Sequence, residues 1–149
     1  MILPDFKGFP RNGRIIGIDW GAARTGVAVS DATREFLFVR PQIVVKNPSD
    51  IPAKIVDIAT TEQAVGIIIG LPLRGDGTES DTTARVRDCA TAIEKLTEIP
   101  IAFIDESYSS TAAQDDMGRV RRGDIKTKLD SESARVILEN AIAMMRRAQ

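Results

Sequence analysis

Residues 14–31 have the sequence RIIGIDWGAARTGVAVSD, and this stretch decides how the chain is expected to fold. Ile15, Ile16 and Ile18 place apolar side chains on both faces of a strand over residues 14–20, which is typical of a central strand covered on each side. Residues 21–24 are then expected to turn, and a strand over residues 25–30 returns beside the first. The stretch therefore predicts two neighbouring strands in the middle of a sheet.

The rest of the chain extends this pair into a sheet with helices. A third strand is predicted over residues 35–39 and 43–45, interrupted at Pro41, and single strands follow at residues 66–71 and 100–104. A short helix is expected near residues 110–117. Three amphipathic helices are predicted from apolar residues at helical spacing: Ile51, Ile55, Ile58 and Ala59; Val86, Cys89, Ala90, Ile93 and Leu96; and Ala134, Ile137, Leu138, Ala141, Ile142 and Met145.

This order of elements predicts a single α/β domain over residues 1–149, with an irregular leader at residues 1–13. Strands that follow one another directly pair antiparallel, whereas strands separated by helices pair parallel. We therefore expect a mixed five-stranded sheet, with three antiparallel strands followed by parallel strands and with helices on both faces.

Composition excludes several classes of chemistry. The 149 residues include no histidine and one cysteine, Cys89, so an intramolecular disulfide, Cys/His zinc sites and Ser-His or Cys-His catalysis are excluded. Cys89 lies in an amphipathic stretch and is expected to be a buried core thiol. The leader lacks the apolar region of a signal peptide, and no apolar run reaches the length of a membrane span, so we expect a cytoplasmic protein.

One acidic residue, Asp19, ends a strand that is otherwise apolar. It shares a face with Ile15 and Gly17, where a carboxylate is costly unless it is paired, hydrogen-bonded or bound to a cation. The alternative role is structural, because a strand-end Asp can accept hydrogen bonds from the amides of the following turn. The residues alone leave both roles open.

Two further acidic positions lie at the edges of later elements. Asp105 and Glu106 end the strand over residues 100–104 and point to opposite faces, so alternation does not choose which one faces Asp19; either could be a solvated strand end. Asp130 could be the N-cap of the last helix. It is also in line with Ala134 and the apolar stripe, which would turn it toward the strand ends.

Carboxylates are the ligands that hard divalent cations such as Mg²⁺ or Mn²⁺ prefer. Two such ions, about 3.5–4 Å apart, can activate a water molecule and stabilise the leaving oxygen of a phosphodiester. This chemistry needs no histidine. The composition therefore permits metal-dependent hydrolysis of phosphodiester bonds, with two ions as the expected cofactor.

A basic segment at residues 119–128, RVRRGDIKTK, precedes Asp130. The net charge of the chain is −1, so contact with nucleic acid must come from a local basic patch of this kind, although such runs are commonly just solvated loops. Phosphate contacts supply affinity and position without sequence specificity. The candidate nucleic-acid-binding residues are Arg24, Arg85, Arg119, Arg121, Arg122, Lys126 and Lys128.

Four blocks of the sequence resemble the YqgF (RuvX-like) family. They are GIDWG with RTGVAVSD at residues 17–31, GLPL with DGTE at 70–79, DE with YSST at 105–111, and DS with SA and VIL at 130–138. The resemblance implies an RNase H-like fold and an endonuclease that matures the 5′ end of pre-16S rRNA; the family is also described as Holliday-junction resolvases. It implies that Asp19, Glu106 and Asp130 are catalytic and bind the metal, which selects Glu106 over Asp105.

Two positions depart from the pattern of the family and its fold. Ser107 stands where the family usually has a basic or bulky residue, which would weaken substrate contact. Related resolvases often carry a fourth acid one helical turn after the last, where this chain has Ser133. Glu132 lies on the other side of the helix, so a site with three carboxylates is expected.

Other functions compete with the nuclease hypothesis. An actin-like ATP-binding module needs two lobes, which 149 residues do not supply. A non-catalytic nucleic-acid-binding protein of the same fold is a further alternative. Structured RNA, foremost pre-16S rRNA, is the expected substrate and branched DNA the second choice. Cutting a junction symmetrically would need a homodimer rather than a monomer, with a patch formed by Met144, Met145, Phe36 and Phe38.

Overall fold

A computed structural model describes residues 1–105 and the helix at residues 122–148, with the side chains of residues 1–105 and 132–147. Pro48–Asp50 forms one 3-10 turn before the first helix. The strands and helices in this part of the chain are β1 (Ile15–Asp19), β2 (Arg24–Ser30), β3 (Leu37–Val44), α1 (Ile51–Thr61), β4 (Gly66–Leu71), α2 (Asp81–Leu96), β5 (Ile101–Asp105) and α3 (Arg122–Ala148).

The five strands form one mixed sheet in the order β3-β2-β1-β4-β5. Strand β1 pairs antiparallel with β2, and β2 pairs antiparallel with β3, as the meander predicts. Strand β4 pairs parallel with both β1 and β5. The expected change from antiparallel to parallel pairing is therefore confirmed, and it takes place at the central strand β1.

Each face of the sheet is covered by helices. Ile16 and Ile18 of β1 pack with α1 and α2 in one hydrophobic cluster. Ile15 of β1 packs with α3 in the other. All six predicted apolar positions of the last helix, from Ala134 to Met145, are buried. Burial of apolar surface on both faces is the main favourable term in folding such a sheet.

Helix α3 lies directly over Gly17 of β1. A Cβ atom at position 17 would lie 2.9 Å from the carbonyl oxygen of Ala134 and 2.9 Å from Cβ of Leu138. Only a residue without a side chain fits under the helix at this distance. Gly17 therefore sets the distance between α3 and β1.

Two details of the predicted elements are wrong. Strand β3 is continuous through Pro41. A bulge opposite Gly26 accommodates the proline in the pairing with β2. In addition, β3 is an edge strand, so the backbone groups on its outer side need no partner within the sheet. Leu96, expected on the buried stripe of α2, is 55% exposed, because α2 ends at this residue. The short helix expected near residues 110–117 lies outside the described residues.

The leader packs against the domain, although residues 1–13 contain no helix or extended strand. Ile2 forms an isolated parallel bridge with Ile101, so the leader covers the outer edge of β5. Phe9 is 4% exposed and lies against Gly66, where a Cβ atom would be 2.3 Å from its ring. These contacts add an aromatic side chain to the core on the α3 face.

Asp31 organises the turn between β2 and β3. Its carboxylate accepts hydrogen bonds from the Thr33 hydroxyl at 2.5 Å and from the amides of Glu35 at 3.0 Å and Phe36 at 2.9 Å. The Thr33 hydroxyl and these amides lower the pKa of Asp31 to about 2. The ionised carboxylate is thus part of the folded turn.

We expect Gly17→Val to lower the free energy of unfolding by about 1–3 kcal/mol, because the new side chain would push α3 away from β1. Urea denaturation followed by circular dichroism measures this change. Gly75→Ala is the matched control, because a Cβ at Gly75 would meet no atom within 4 Å. Equal stability of the two variants would contradict the close approach.

We also expect the stabilising effect of Asp31 to depend on pH. The pKa of the folded state lies below the ordinary value of 3.8, so the contribution is complete above that value and is lost as the pH falls toward about 2. The difference in stability between the wild type and Asp31→Asn should therefore shrink between pH 5 and pH 2, measured by thermal unfolding. Asp88→Asn, at an exposed position of α2, provides the control.

Candidate active site at the carboxyl end of the sheet

Asp19 is the last residue of β1 and lies half-buried at the carboxyl end of the sheet. Strand alternation puts it on the same face as Ile15 and Gly17, which is the face that α3 covers. Its neighbour across the antiparallel pair is Gly26, which has no side chain. The predicted shared face of Ile15, Gly17 and Asp19 is confirmed.

The turn that follows Asp19 is held by the buried hydroxyl of Thr25. This hydroxyl donates to the carbonyl oxygen of Gly21 at 3.1 Å and accepts from the amide of Gly21 at 3.3 Å. A Cβ at position 21 would lie 2.2 Å from the carbonyl oxygen of Arg24, so the turn requires glycine there. The amide of Gly21 therefore binds Thr25, and this contact fixes the chain on both sides of the turn.

Helix α3 runs antiparallel to β1. Ala134 and Leu138 lie over Gly17 in the middle of β1. Met145 lies near Arg34, whose side chain donates a hydrogen bond to Gly13, just before β1 begins. The amino-terminal half of α3 is therefore directed toward the carboxyl end of β1.

The same geometry places the backbone of α3 at position 130 near Asp19. Asp19 is two residues beyond Gly17, or about 7 Å along the strand. Position 130 is four residues before Ala134, or about 6 Å along the helix in the same direction. Because α3 begins at Arg122, Asp130 is not an N-cap, and that alternative is wrong. Its side chain is not among those described.

The register of β5 shows which face of the sheet Asp105 belongs to. Ile104 belongs to the cluster under α3, so Asp105 belongs to the opposite face, together with Phe103. Asp105 is therefore on the other side of the sheet from Asp19. Glu106 lies outside the described residues.

The basic residues predicted to bind nucleic acid fall into two groups. Arg24 is exposed at the start of β2, on the same face as Gly26 and at the same end of the sheet as Asp19. Arg85 is exposed on α2, and its guanidinium carbon lies 5.0 Å from the centre of the Trp20 ring. Trp20 directly follows Asp19, so Arg85 also lies near this end of the sheet.

The other predicted basic residues belong to the segment before Asp130. Arg119 and Arg121 lie outside the described residues. Arg122, Lys126 and Lys128 lie in the first turns of α3, whose backbone alone is described there. The segment expected as a loop at residues 122–128 is therefore helical.

No group of three His, Cys, Asp or Glu side chains that could hold a metal ion occurs among the described residues. Glu132 and Ser133 do not add an acid to the site. The carboxylate of Glu132 binds Arg135 at 2.6 Å, and Ser133 is 3% exposed. The prediction that Glu132 turns away from the site is consistent with this ion pair.

Thr25 is the residue that the sequence analysis missed. The sequence does contain one sign of this role: the hydroxyl of Thr25 comes four residues after Gly21 and directly before the apolar part of β2. Its role becomes visible only in the two contacts with Gly21.

A family model described as RuvX, Holliday junction resolvase, matches residues 13–144. The chain belongs to the RuvX family. Two curated relatives of this RuvX chain carry the name "Putative pre-16S rRNA nuclease". The protein from Maridesulfovibrio salexigens is 35% identical, with 87% of this chain and 98% of the relative covered. The protein from Acidiphilium cryptum is 34% identical, with 91% and 87% covered.

Solved structures share the fold of this RuvX chain. Thermus thermophilus RuvC in complex with a Holliday junction substrate matches with a TM-score of 0.55 at 11% identity, covering 90% of this chain and 96% of RuvC. The yeast mitochondrial Holliday junction resolvase matches with a TM-score of 0.51 at 11% identity, covering 96% and 87%. The fold is RNase H-like, as expected.

None of the described helices is long and apolar enough to cross a lipid bilayer.

Replacing Thr25 by the isosteric valine should lower the free energy of unfolding by about 1–3 kcal/mol, because the amide and carbonyl of Gly21 lose their hydrogen-bond partner. Chemical denaturation measures the change. Thr91→Val on the exposed face of α2 is the control and should stay within about 0.5 kcal/mol of the wild type. A stable Thr25→Val variant would show that the turn does not depend on the hydroxyl.

Proposed function

We propose that this RuvX family member is an endonuclease that hydrolyses phosphodiester bonds at the carboxyl end of its sheet, acting in the cytoplasm on the 5′ end of pre-16S rRNA. The observation that carries the proposal is the position of Asp19, a half-buried carboxylate at the end of the central strand, under the amino-terminal half of α3. The names of the curated relatives support the substrate.

We assign the catalytic roles to Asp19, Glu106 and Asp130. The course of α3 supports Asp130, because position 130 and Asp19 lie at the same end of the sheet. The register of β5 supports Glu106 by excluding Asp105, which belongs to the opposite face. Gly26, the partner of Asp19 across the antiparallel pair, adds no side chain beside its carboxylate.

The donor set fits a divalent cation that prefers oxygen. The chain has no histidine, and burial raises the pKa of its one cysteine, Cys89, to about 12, so carboxylates are the available anionic ligands. We propose that the three carboxylates hold Mg²⁺ or Mn²⁺, as two ions. When bound, such ions activate water and neutralise the charge of the leaving oxygen.

The chain's own groups would hold the nucleic acid. Arg24 and Arg85 flank the end of β1 from the two faces of the sheet, and the basic first turns of α3 lie at the same end. Their contacts with phosphates would position the strand without reading its sequence. Thr25 would act indirectly, by fixing the turn next to Asp19.

Resolution of Holliday junctions is the second candidate function, because the matching family model carries that description. Symmetric cleavage of a junction needs two copies of the site. Met145, expected in a dimer patch, is 8% exposed and packs into the core, so it cannot supply such a contact. Met144, Phe36 and Phe38 are exposed.

The proposed function is tested by Asp19→Asn, with Asp105→Asn as the matched control. In Mg²⁺ or Mn²⁺, we expect Asp19→Asn to lower cleavage of 5′-extended 16S precursor RNA by at least about 100-fold, the scale for removing one electrostatic stabiliser. Asp105→Asn should cleave near the wild-type rate. Binding of RNA should persist in both variants, because the phosphate contacts remain.

A synthetic four-way junction is offered in the same assay. Preferential cleavage of the junction would favour the resolvase over the rRNA nuclease. Binding of either substrate without cleavage by the wild type would instead favour the non-catalytic alternative. Wild-type cleavage by Asp19→Asn would overturn the assignment of the site.

A further inference from the structure

A second site is indicated at the opposite end of β1, around Arg34. The side chain of Arg34 is 7% exposed. Its Nε donates to the carbonyl oxygen of Gly13 at 2.8 Å, and its Nη1 lies 3.9 Å from the sulfur of Met145. Its Nη2 is buried and has no hydrogen-bond partner among the residues that the structure describes. The guanidinium therefore uses only part of its donor capacity.

An arginine buried in this way is unusual. The guanidinium stays charged at any physiological pH and is rarely buried without an anion beside it. Among the described residues, Arg34 has no carboxylate within salt-bridge distance; the ion pairs of this region belong to Arg135, which binds Glu132 and Glu139. A charge without a counter-ion among the described residues points to an anionic partner at this position.

Arg34 lines a cleft of about 500 Å³ between the turn before β3 and the carboxyl-terminal half of α3. Arg146 lies at this cleft and donates from its Nη2 to the backbone carbonyl of Arg34 at 3.1 Å. The other charged groups lining the cleft are Glu35, Glu139 and Arg135. Three arginines and two glutamates therefore line the cleft, which gives its lining a net charge of +1.

The turn holds Arg34 in place. The backbone of Arg34 has φ +63°, a left-handed conformation that is unfavourable for a residue with a long side chain. The carboxylate of Asp31 fixes this conformation through its bonds to Thr33, Glu35 and Phe36. The guanidinium is thus positioned before any ligand arrives, which lowers the entropic cost of binding.

We propose that the cleft between the turn before β3 and α3 binds a phosphate group, with Arg34 as its inner ligand and Arg146 as its outer ligand. Two guanidinium groups offer several N–H donors to the oxygens of one tetrahedral anion, and arginine matches phosphate in this geometry. The phosphate is either free in solution or part of a nucleic-acid backbone; the second source rests on the proposed function. Gly13, which Arg34 contacts, lies just before β1, and Asp19 ends β1, so the two sites lie at opposite ends of this strand.

The first experiment measures binding of inorganic phosphate alone. Sodium phosphate is titrated against a sodium chloride series of equal ionic strength, and the ¹⁵N–¹H signals of the arginine Nε groups and the melting temperature are recorded. We expect a saturable shift of the Arg34 signal and a phosphate-specific rise in melting temperature. The signal is assigned from its loss in Arg34→Lys.

Variants locate the site. Arg146→Gln should weaken phosphate binding by at least about tenfold, as expected for the loss of a charged hydrogen bond. Arg147→Gln is the matched control: it removes one charge from the neighbouring residue, which does not line the cleft, and should bind as the wild type does. Arg34→Met should abolish binding if it folds; Arg146→Gln keeps the test decisive if it does not.

Equal effects of phosphate and chloride, or equal affinities of Arg146→Gln and Arg147→Gln, would overturn the proposal. This result is independent of cleavage, so failure of the nuclease assignment would not be confused with failure of the phosphate site.

A second experiment separates the two sources of phosphate, using an RNA oligonucleotide and the Asp19→Asn background. A backbone phosphate in the cleft predicts that Arg146→Gln lowers RNA affinity and reduces its salt dependence by about one charge, relative to Arg147→Gln. Unchanged RNA binding with weakened phosphate binding would assign the site to free phosphate.

Discussion

The close contact between α3 and Gly17 is the constraint on which the rest of the structure depends. A glycine in the middle of the central strand lets the backbone of the helix approach the sheet directly, at the carbonyl of Ala134. With Leu138 also over the glycine, the helix has one position along β1. Helices and strands have a regular rise per residue, so this contact also determines where the residues at the two ends of α3 lie relative to β1. Asp19 and the cleft lined by Arg34 and Arg146 therefore lie at opposite ends of the same helix–strand pair.

The proposed chemistry follows from the way the sheet collects residues that are distant in the chain. Asp19 comes from the central strand, and position 130 comes from a helix more than one hundred residues later. Because β4 and β5 run parallel to β1, their carboxyl ends lie at the same edge of the sheet as Asp19. A site assembled from separate elements is held by the core packing of each of them. This explains why an acidic residue can remain half-buried at the end of a strand whose other members are fully buried.

Much of the fold was predictable, because the apolar patterns of β1, β4 and the last helix are strong and agree with burial on both faces. The start of α3 was not, since residues 122–129 include Gly123, three basic residues and only two large apolar residues, Ile125 and Leu129. Strand alternation alone could not distinguish Asp105 from Glu106, because a difference of one residue exchanges the two faces of β5. Arg34 gave no signal at all, because a basic residue in a turn is expected in solvent. Its burial depends on Gly13 and Met145, which the turn meets only in three dimensions.

The buried thiol of Cys89 has a practical consequence for studying this protein. It is the one cysteine in the sequence, it is 8% exposed in the core of α2, and burial raises its pKa to about 12, so almost none of it is the reactive thiolate at neutral pH. A cysteine introduced on the surface would therefore be the preferred target of a maleimide dye without removal of the native residue. Fluorophores placed at each end of α3 could then report separately on nucleic acid arriving at Asp19 and on phosphate arriving at Arg34.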